Sequence, residues 1–200
     1  MHARKLLAAL VALTCLALQS VALAAPEVYD LDKAHSSPGF KVRHFFTQVP
    51  GRFEDFTGTV SWDEADPTKS TVELSIQATS INTGNTQRDN HLRSADFFDV
   101  EKFPTVTFKS TKFEKGASEG HFKVTGDLTI RGVTKPVVIE LEALGFGDTP
   151  MGKRGGFNAT TKINRQDFGV SWNKTLDKGG TLLGDEVTIE FPVELKKKST

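Results

Sequence analysis

Apolar and polar residues alternate along most of this chain, and this period of two constrains the fold more than any other feature. Alternation places one face of a strand against a core and the other face in water. Turn residues such as Asp66-Pro67 and Gly179-Gly180 separate the alternating runs. The pattern predicts an antiparallel sheet of eight or more strands, which closes into a barrel or folds into a sandwich. The clearest runs are residues 72–78, 122–130, 137–143, 157–163 and 187–195.

The first 24 residues differ from the rest and predict a cleavable export signal. Arg4 and Lys5 precede an uncharged run over residues 6–18, and a small-residue cleavage site follows at Ala22-Leu23-Ala24. The run is about 13 residues long, whereas a membrane-spanning helix needs ~20. Cys15, the only cysteine, lies inside it, and the residues before it match a lipoprotein cleavage site poorly. The sequence therefore predicts a signal peptide at 1–24 and one exported domain at 25–200, without disulfides.

The amino-acid composition limits the classes of ligand that this domain is suited to bind. Lys and Arg together number 25, as do Asp and Glu, so no uniform basic field favours nucleic acid. The chain has 15 Phe against one Tyr and two Trp. Because phenylalanine has no polar group, this content suits an aromatic core or a site for a greasy ligand better than sugar or base recognition.

One segment breaks the alternation and predicts a short helix over about residues 87–94. Thr86 stands three residues before Asp89, which is the spacing of a capping box. Asp89 and Arg93 are four residues apart, which is the spacing of a helical ion pair. We expect this helix to plug one end of a barrel. Three apolar side chains on or after it should point inward: Leu92, Phe97 and Phe98.

Strand parity predicts which side chains face the interior. Some inward positions carry small residues, which either leave space for a ligand or accommodate large aromatic rings opposite. An eight-stranded barrel has the size at which both outcomes occur. The small residues are Gly58, Gly126, Ala78, Ala143 and Ala159. The predicted large interior residues are Phe40, Val42, Val60, Leu74, Ile76, Phe108, Phe122, Val124, Leu128, Phe157 and Ile163.

Several segments resemble the YceI-like family and occur in family order across the domain. The most specific is Arg88-Asp-Asn-His-Leu-Arg-Ser-Ala-Asp-Phe-Phe-Asp99, within the longer block 82–99. The other matching segments are residues 29–37, 40–44, 103–110, 126–137, 156–157, 164–169 and 183–189.

This resemblance implies an all-β, lipocalin-like eight-stranded antiparallel barrel with one short plugging helix. It implies an exported, periplasmic bacterial protein that binds a long polyisoprenoid lipid inside the barrel, with no catalytic residue and no cofactor. The predicted interior residues, with Leu92, Phe97 and Phe98, would then line the lipid site. We expect no nucleic-acid partner and no stable membrane insertion, and the sequence leaves a homodimer open. Pro38 and Pro50 depart from the family pattern and should lie at edges or bulges.

Five polar residues are candidates for binding the head group of such a lipid: Asn82, Arg43, Arg88, His91 and Arg93. A pyrophosphate requires at least two of the four cationic candidates at one end of the cavity. A quinone requires only one or two neutral donors such as Asn82. The sequence favours the neutral head, because Asp89 is placed to neutralise Arg93.

A structural role competes with head-group binding for some of these side chains. His35, Arg43, Asp89 and Arg93 would form a hydrogen-bonded collar that stabilises the helix and the first strands. In that case the cationic side chains hold the fold together and do not contact a ligand.

Two other function classes stay open. The first is an enzyme acting on an isoprenoid lipid, although no nucleophile–base arrangement is visible and Ser36 beside His35 lacks a Gly-x-Ser-x-Gly frame. The second is a stress-protective or metal-binding periplasmic protein with a filled barrel. Its ligands would come from His35, His44, His91 and Asp89, which lack the close spacing of a helix or hairpin metal site.

Overall fold

A computed structural model describes residues 25–177 and 179–199. The predicted signal peptide, with Cys15, lies outside the described residues. Short 3₁₀ helices span Pro67–Lys69, Ala78–Ser80 and Arg165–Phe168. The longer elements are β1 (Glu27–Leu31), β2 (Gly39–His44), β3 (Thr47–Phe53), β4 (Phe56–Trp62), β5 (Thr71–Gln77), β6 (Ile81–Asn82), α1 (Thr86–Arg93), β7 (Thr105–Lys115), β8 (His121–Ile130), β9 (Val133–Thr149), β10 (Gly152–Asn164) and β11 (Leu183–Lys197).

Eight of the strands form a closed antiparallel barrel, which confirms the predicted fold class. Their order around the ring is β1-β4-β5-β7-β8-β9-β10-β11, and β11 returns to β1. The return pairing places Leu31 opposite Leu195. The other part of the same β11 edge pairs with β2, for example Ile189 with Phe40. The β2–β3 hairpin and the short β6 therefore extend the wall at one end of the barrel.

The alternation in sequence becomes an inside and an outside of this barrel. On β8, the side chains of Phe122, Val124, Leu128 and Ile130 are buried in one apolar core, and the residues that alternate with this inward face are more exposed. Pro50 pairs with Lys41 of β2, while β6 pairs with β3 only at its far end. Pro50 therefore occupies an edge position, as predicted, because proline has no N–H to donate to a second neighbour.

Aromatic rings fill the end of the barrel that β1 closes. We call the cluster of Tyr29, Trp62, Phe122, Phe146 and Phe157 the aromatic plug. The rings of Trp62 and Phe146 stack at 5.1 Å, and Phe157 meets the Trp62 ring edge-on at 5.3 Å. The rings of Tyr29 and Phe146 are 5.4 Å apart. Edge-to-face and offset contacts at these distances are the favourable geometries for aromatic pairs.

Small residues on the inner face do two different things. A Cβ at Gly126 would lie 2.4 Å from the Phe108 ring, and one at Gly155 would lie 2.3 Å from the Phe146 ring. These glycines therefore make room for the aromatic rings. Ala159, in contrast, faces open space inside the barrel. The two alternatives left open by the sequence thus apply to different positions.

The helix forms where it was predicted, but its cap and its ion pair were predicted wrongly. Asn85, and not Thr86, is the N-cap, and its Oδ1 accepts from the Arg88 N–H at 3.0 Å. The Asp89 carboxylate accepts from the N–H and the hydroxyl of Thr83 and makes no ion pair with Arg93. Thr83 precedes the helix and satisfies Asp89 locally, which leaves Arg93 free to reach the main chain of neighbouring segments.

A partly buried cluster of ion pairs joins β1, β10 and β11 where the barrel closes. Glu27 on β1 accepts from Lys153 at 2.6 Å, from Lys197 at 2.5 Å and from the Tyr29 hydroxyl at 2.6 Å. The lysine and tyrosine hydrogen bonds lower the pKa of the Glu27 carboxyl from 4.5 to about 2. Burial and the neighbouring Glu27 carboxylate raise the pKa of Tyr29 to about 12. At neutral pH the cluster therefore holds one carboxylate, two ammonium groups and a neutral phenol.

Glu27→Gln should destabilise the protein in a pH-dependent way. A depressed carboxyl pKa adds stability above the unfolded value of 4.5, and this is lost as the pH falls toward about 2. Solvent weakens the effect, so we expect the free energy of unfolding to drop by about 1–2 kcal/mol at pH 7. Urea unfolding from pH 7 to pH 2 measures whether the difference disappears in that window.

The matched control is Glu190→Gln, which removes an exposed pair with Lys41. It should change stability by less than about 0.5 kcal/mol at any pH. A Glu27→Gln difference that persists unchanged at pH 2 would contradict the account of this cluster.

Candidate functional site

The other end of the barrel contains an open apolar cavity of about 590 Å³. This is within the range of ~300–1,000 Å³ that small-molecule sites occupy. Its wall consists of inward-facing side chains from β2, β5, β7, β8, β9, β10 and β11, and α1 with the loops after it lies across the end. The cavity therefore occupies one part of the barrel interior, and the aromatic plug fills another part.

Ten of the fourteen apolar residues predicted for the site line this cavity. From the strands these are Phe40, Val42, Leu74, Ile76, Phe108, Leu128 and Ile163. From α1 and the segment after it these are Leu92, Phe97 and Phe98. Phe97 is buried, and Leu92 and Phe98 pack against the same core, so the helix end closes the barrel as predicted.

The other four, Val60, Phe122, Val124 and Phe157, do not line this cavity. All four are buried in the barrel, so their inward orientation was right. Phe122 and Phe157 belong to the aromatic plug, where packed rings leave no space. Alternation along a strand identifies which side chains point into the barrel. It does not give the depth of the cavity, because that depends on the shapes of side chains from several strands.

The cavity wall contains further residues that were not predicted from the sequence. Val137, Ile139, Val187 and Ile189 continue the alternation that was recognised on β9 and β11, so the same signal identifies them. Phe168, Val170 and Trp172 belong to no regular strand, and no periodic signal marks them. His44 at the end of β2 and Arg165 after β10 are polar residues on the wall that were not predicted for it.

Among the five head-group candidates, the structure brings only Arg88 and His91 to the cavity. The Arg43 guanidinium instead donates to the Phe45 carbonyl oxygen at 2.9 Å. The Asn82 amide donates to Glu54 at 2.8 Å. Arg93 donates to the carbonyl oxygens of Thr79 and Ile81, both at 2.8 Å. Arg43, Asn82 and Arg93 are thus bound to other parts of the protein.

Three arginines fasten the segments that surround the cavity. Arg93 holds α1 to the main chain after β5. Arg131 donates to the carbonyl oxygens of Ala95, Phe97 and Gly169. These contacts favour the structural alternative for Arg93, because its Nε and both terminal nitrogens donate to protein oxygens and its side chain does not line the cavity.

Arg165 is the most buried of these arginines, with 5% exposure. It donates to Gly184, Val170 and Trp172 carbonyl oxygens and pairs with Asp185 at 3.1 Å. Burial lowers the pKa of the Arg165 guanidinium, while Asp185 opposes that shift. Its hydrogen bonds fix residues 170–172 against the start of β11, where they form one side of the opening.

The polar rim of the opening carries one cation without a direct counter-ion. Arg88 donates to the hydroxyl and the carbonyl of Thr83 at 2.7 and 2.8 Å, and no described carboxylate lies within 4.0 Å of it. His91 contacts Asp96 at 2.8 Å through Nε2. Its ring meets the rings of Phe97 and Trp172 edge-on at 5.0 and 4.9 Å. The rim therefore offers the His91 imidazole and the Arg88 guanidinium beside apolar walls. The side-chain amides there belong to Asn85 and Gln87.

The candidate metal ligands do not assemble into one site. His44 and His91 lie at the cavity, Asp89 is bound to Thr83, and His35 lies near Asp32 and Glu194. In the latter cluster the Arg154 guanidinium lies 2.7 Å from Asp32, so a cation already occupies the space between the carboxylates. Within residues 25–177 and 179–199, no helix has the length and apolarity to cross a bilayer.

A closed eight-stranded antiparallel barrel with an apolar interior cavity is typical of proteins that hold one small ligand. The YceI-like domain model matches residues 29–195. Protein YceI of Escherichia coli O6:H1 is 43% identical over 151 residues, which cover 74% of this chain and 78% of that protein. The chain belongs to the YceI-like family.

Solved structures share the fold. BcnA of Burkholderia cenocepacia superposes with a TM-score of 0.73 at 24% identity, over 82% of this chain and 98% of BcnA. A polyisoprenoid binding domain from Saccharophagus degradans superposes with a TM-score of 0.65 at 16% identity, over 85% and 98% of the two chains.

Arg93→Ala should destabilise the protein, because two main-chain carbonyl groups beneath α1 lose their donors. We expect a decrease of about 2 kcal/mol in the free energy of unfolding. Arg52→Ala, at an exposed pair with Glu54, is the matched control and should cost less than about 0.5 kcal/mol. Equal losses in the two variants, measured by urea unfolding, would show that Arg93 does not fasten the helix.

Proposed function

We propose that this protein binds and carries a single long-chain polyisoprenoid lipid, with the tail inside the barrel and the polar head at the rim. The cavity carries the proposal: it is apolar along its walls, closed at one end and polar at the other. Family membership supports it, as does the fold shared with a polyisoprenoid binding domain. The predicted signal peptide supports export to the periplasm as the setting.

The energetics of transfer suit a carrier. A ~40-carbon tail would gain a gross ~30 kcal/mol from leaving water, at about 0.8 kcal/mol per methylene. Non-covalent affinities level off near about 18–21 kcal/mol, and ordering a flexible tail opposes binding. A tail that leaves a bilayer exchanges one apolar environment for another, so loading and release are nearly balanced. The aromatic plug sets the depth that the tail reaches.

We propose a neutral head group, such as a quinone. The reason expected from the sequence, that Asp89 neutralises Arg93, is wrong. A different reason supports the same choice: Arg88 is the one rim guanidinium without a bound carboxylate among the described residues, and its neighbours at the rim are amides and imidazoles. A buried pyrophosphate requires several paired cations.

We propose binding without catalysis. Two threonine hydroxyls among the lining residues are used in structure: that of Thr83 donates to Asp89, and that of Thr161 donates to the Val138 carbonyl at 2.7 Å. An enzyme acting on an isoprenoid would need a nucleophile or base beside the bound lipid. A carrier needs only the cavity and its opening.

Ala159→Phe should prevent lipid binding by filling the cavity. Ala159 lies on the wall, and a phenyl ring there projects into the open space that the tail would occupy. We expect the affinity for a polyprenyl quinone to fall at least about tenfold, since several buried methylenes lose their place. Quenching of intrinsic tryptophan fluorescence by the added quinone measures binding.

The matched control is Ala117→Phe, which makes the same substitution at an exposed loop position. It should bind quinone as the unmodified chain does. If Ala159→Phe is folded by circular dichroism and still binds with unchanged affinity, the lipid is not in this cavity.

The head group is tested with two lipids that share one tail. Retention of a polyprenyl quinone should be similar at low and high salt, because a hydrogen-bonded neutral head responds little to screening. The matching polyprenyl pyrophosphate should bind no better than the quinone. A strong preference for the pyrophosphate that salt abolishes would contradict the neutral head.

A further inference from the structure

The turn between β2 and β3 exposes two adjacent aromatic rings. Phe46 is 99% exposed and Phe45 is 40% exposed. Large apolar side chains in water are unfavourable, and a chain gains nothing for its own folding from a ring with no protein contact. The two rings therefore need an explanation outside the core.

The protein holds this turn in a defined and sterically disfavoured conformation. Phe45 has a φ of +50°, a region that bulky residues rarely adopt. Its N–H donates to the Leu182 carbonyl at 3.0 Å, and its carbonyl accepts from Arg43 at 2.9 Å. The ring of Phe45 stacks on Phe46 at 6.4 Å and contacts the His44 ring at 4.7 Å. Neighbouring segments thus hold the main chain and the ring of Phe45, and the Phe46 ring lies beside it in solvent.

The exposed turn stands at the rim of the cavity. His44 and Val49 belong to the two strands that the turn joins, and both line the cavity. Leu182, which accepts the Phe45 hydrogen bond, lines it as well. A surface that touches the two rings would therefore lie against the opening.

Positive charge lies near the turn as well as at the rim. Arg43 lies beside the turn and Arg88 lies at the opening, and neither has a described carboxylate within 4.0 Å. Exposed aromatic rings with nearby cations are typical of surfaces that insert into the interface of an anionic bilayer. Two phenyl rings bury at most about 150–250 Å² each, below the ~800 Å² that a stable protein interface takes from each partner.

We propose that the Phe45–Phe46 turn docks the opening of the barrel onto an anionic phospholipid bilayer. The two rings enter the interfacial region, and Arg43 beside the turn and Arg88 at the rim contact lipid phosphates. A lipid tail then passes between bilayer and cavity without crossing water. The transfer of a lipid tail rests on the proposed function. Docking itself is a property of the turn and is measured without a bound isoprenoid.

The test is flotation of the chain from residue 25 onward, which contains every strand of the barrel, with vesicles of phosphatidylcholine and phosphatidylglycerol in equal parts. Phe46→Ser should lower the fraction of protein bound, with a partition coefficient reduced about tenfold, because one ring no longer leaves water. Met151→Ser removes an apolar side chain that is 70% exposed on the β9–β10 turn, and it should leave binding unchanged.

A second variant separates docking from folding. Phe45→Gly suits the positive φ of the turn, so its stability should be equal to or above that of the unmodified chain. Its vesicle binding should fall as in Phe46→Ser. Equal binding of the unmodified chain, Phe46→Ser and Phe45→Gly would overturn the proposal, as would a dimer that Phe46→Ser dissociates without any change in vesicle binding.

These outcomes are distinct from those of the proposed function. If the Phe46 and Phe45 variants lose vesicle binding while the protein holds no isoprenoid, docking stands and the carrier function fails. If the protein holds an isoprenoid and the variants bind vesicles normally, the carrier function stands and docking is overturned.

Discussion

Strand β11 has one edge left once β10 has paired with the other, and the rest of the structure depends on how that edge is shared. Its C-terminal part pairs with β1, and Glu27 on β1 ties Lys153 and Lys197 together at this closure. Its N-terminal part pairs with β2. Where β1 closes the ring, aromatic side chains meet and fill the interior. Where β2 continues the wall, the hairpin and helix α1 surround an open cavity. One barrel therefore contains a packed half and a binding half.

This division explains which parts of the site were predictable. Alternation along each strand is a local property, so the inward residues predicted on β5, β7, β8 and β10 all lie inside the barrel. The depth of the cavity is not local. Phe146 reaches the plug after a register shift between Gly156 and Phe157, and its ring takes the space that a side chain at Gly155 would need. No pattern in β9 or β10 alone contains that information.

The hydrogen-bond partners of the polar residues were even less predictable from the sequence. The Asp89–Arg93 spacing was suitable for a helical pair, but Thr83 satisfies Asp89 and the carbonyls of Thr79 and Ile81 bind Arg93. Arg88 also donates to a main-chain carbonyl, that of Thr83, but Thr83 and Arg88 both line the cavity. The tertiary structure decides which main-chain carbonyls each arginine can reach, and so whether the arginine stabilises the fold or faces the cavity. Spacing in the sequence does not contain that information.

The central claim is that the binding half of the barrel holds one isoprenoid lipid. Native mass spectrometry of the protein purified without detergent, followed by extraction and identification of the released lipid, tests it most directly. The account predicts one isoprenoid molecule per chain, lost on Ala159→Phe and kept on Ala117→Phe. A protein that is free of lipid as purified and binds no added polyprenyl quinone would contradict it.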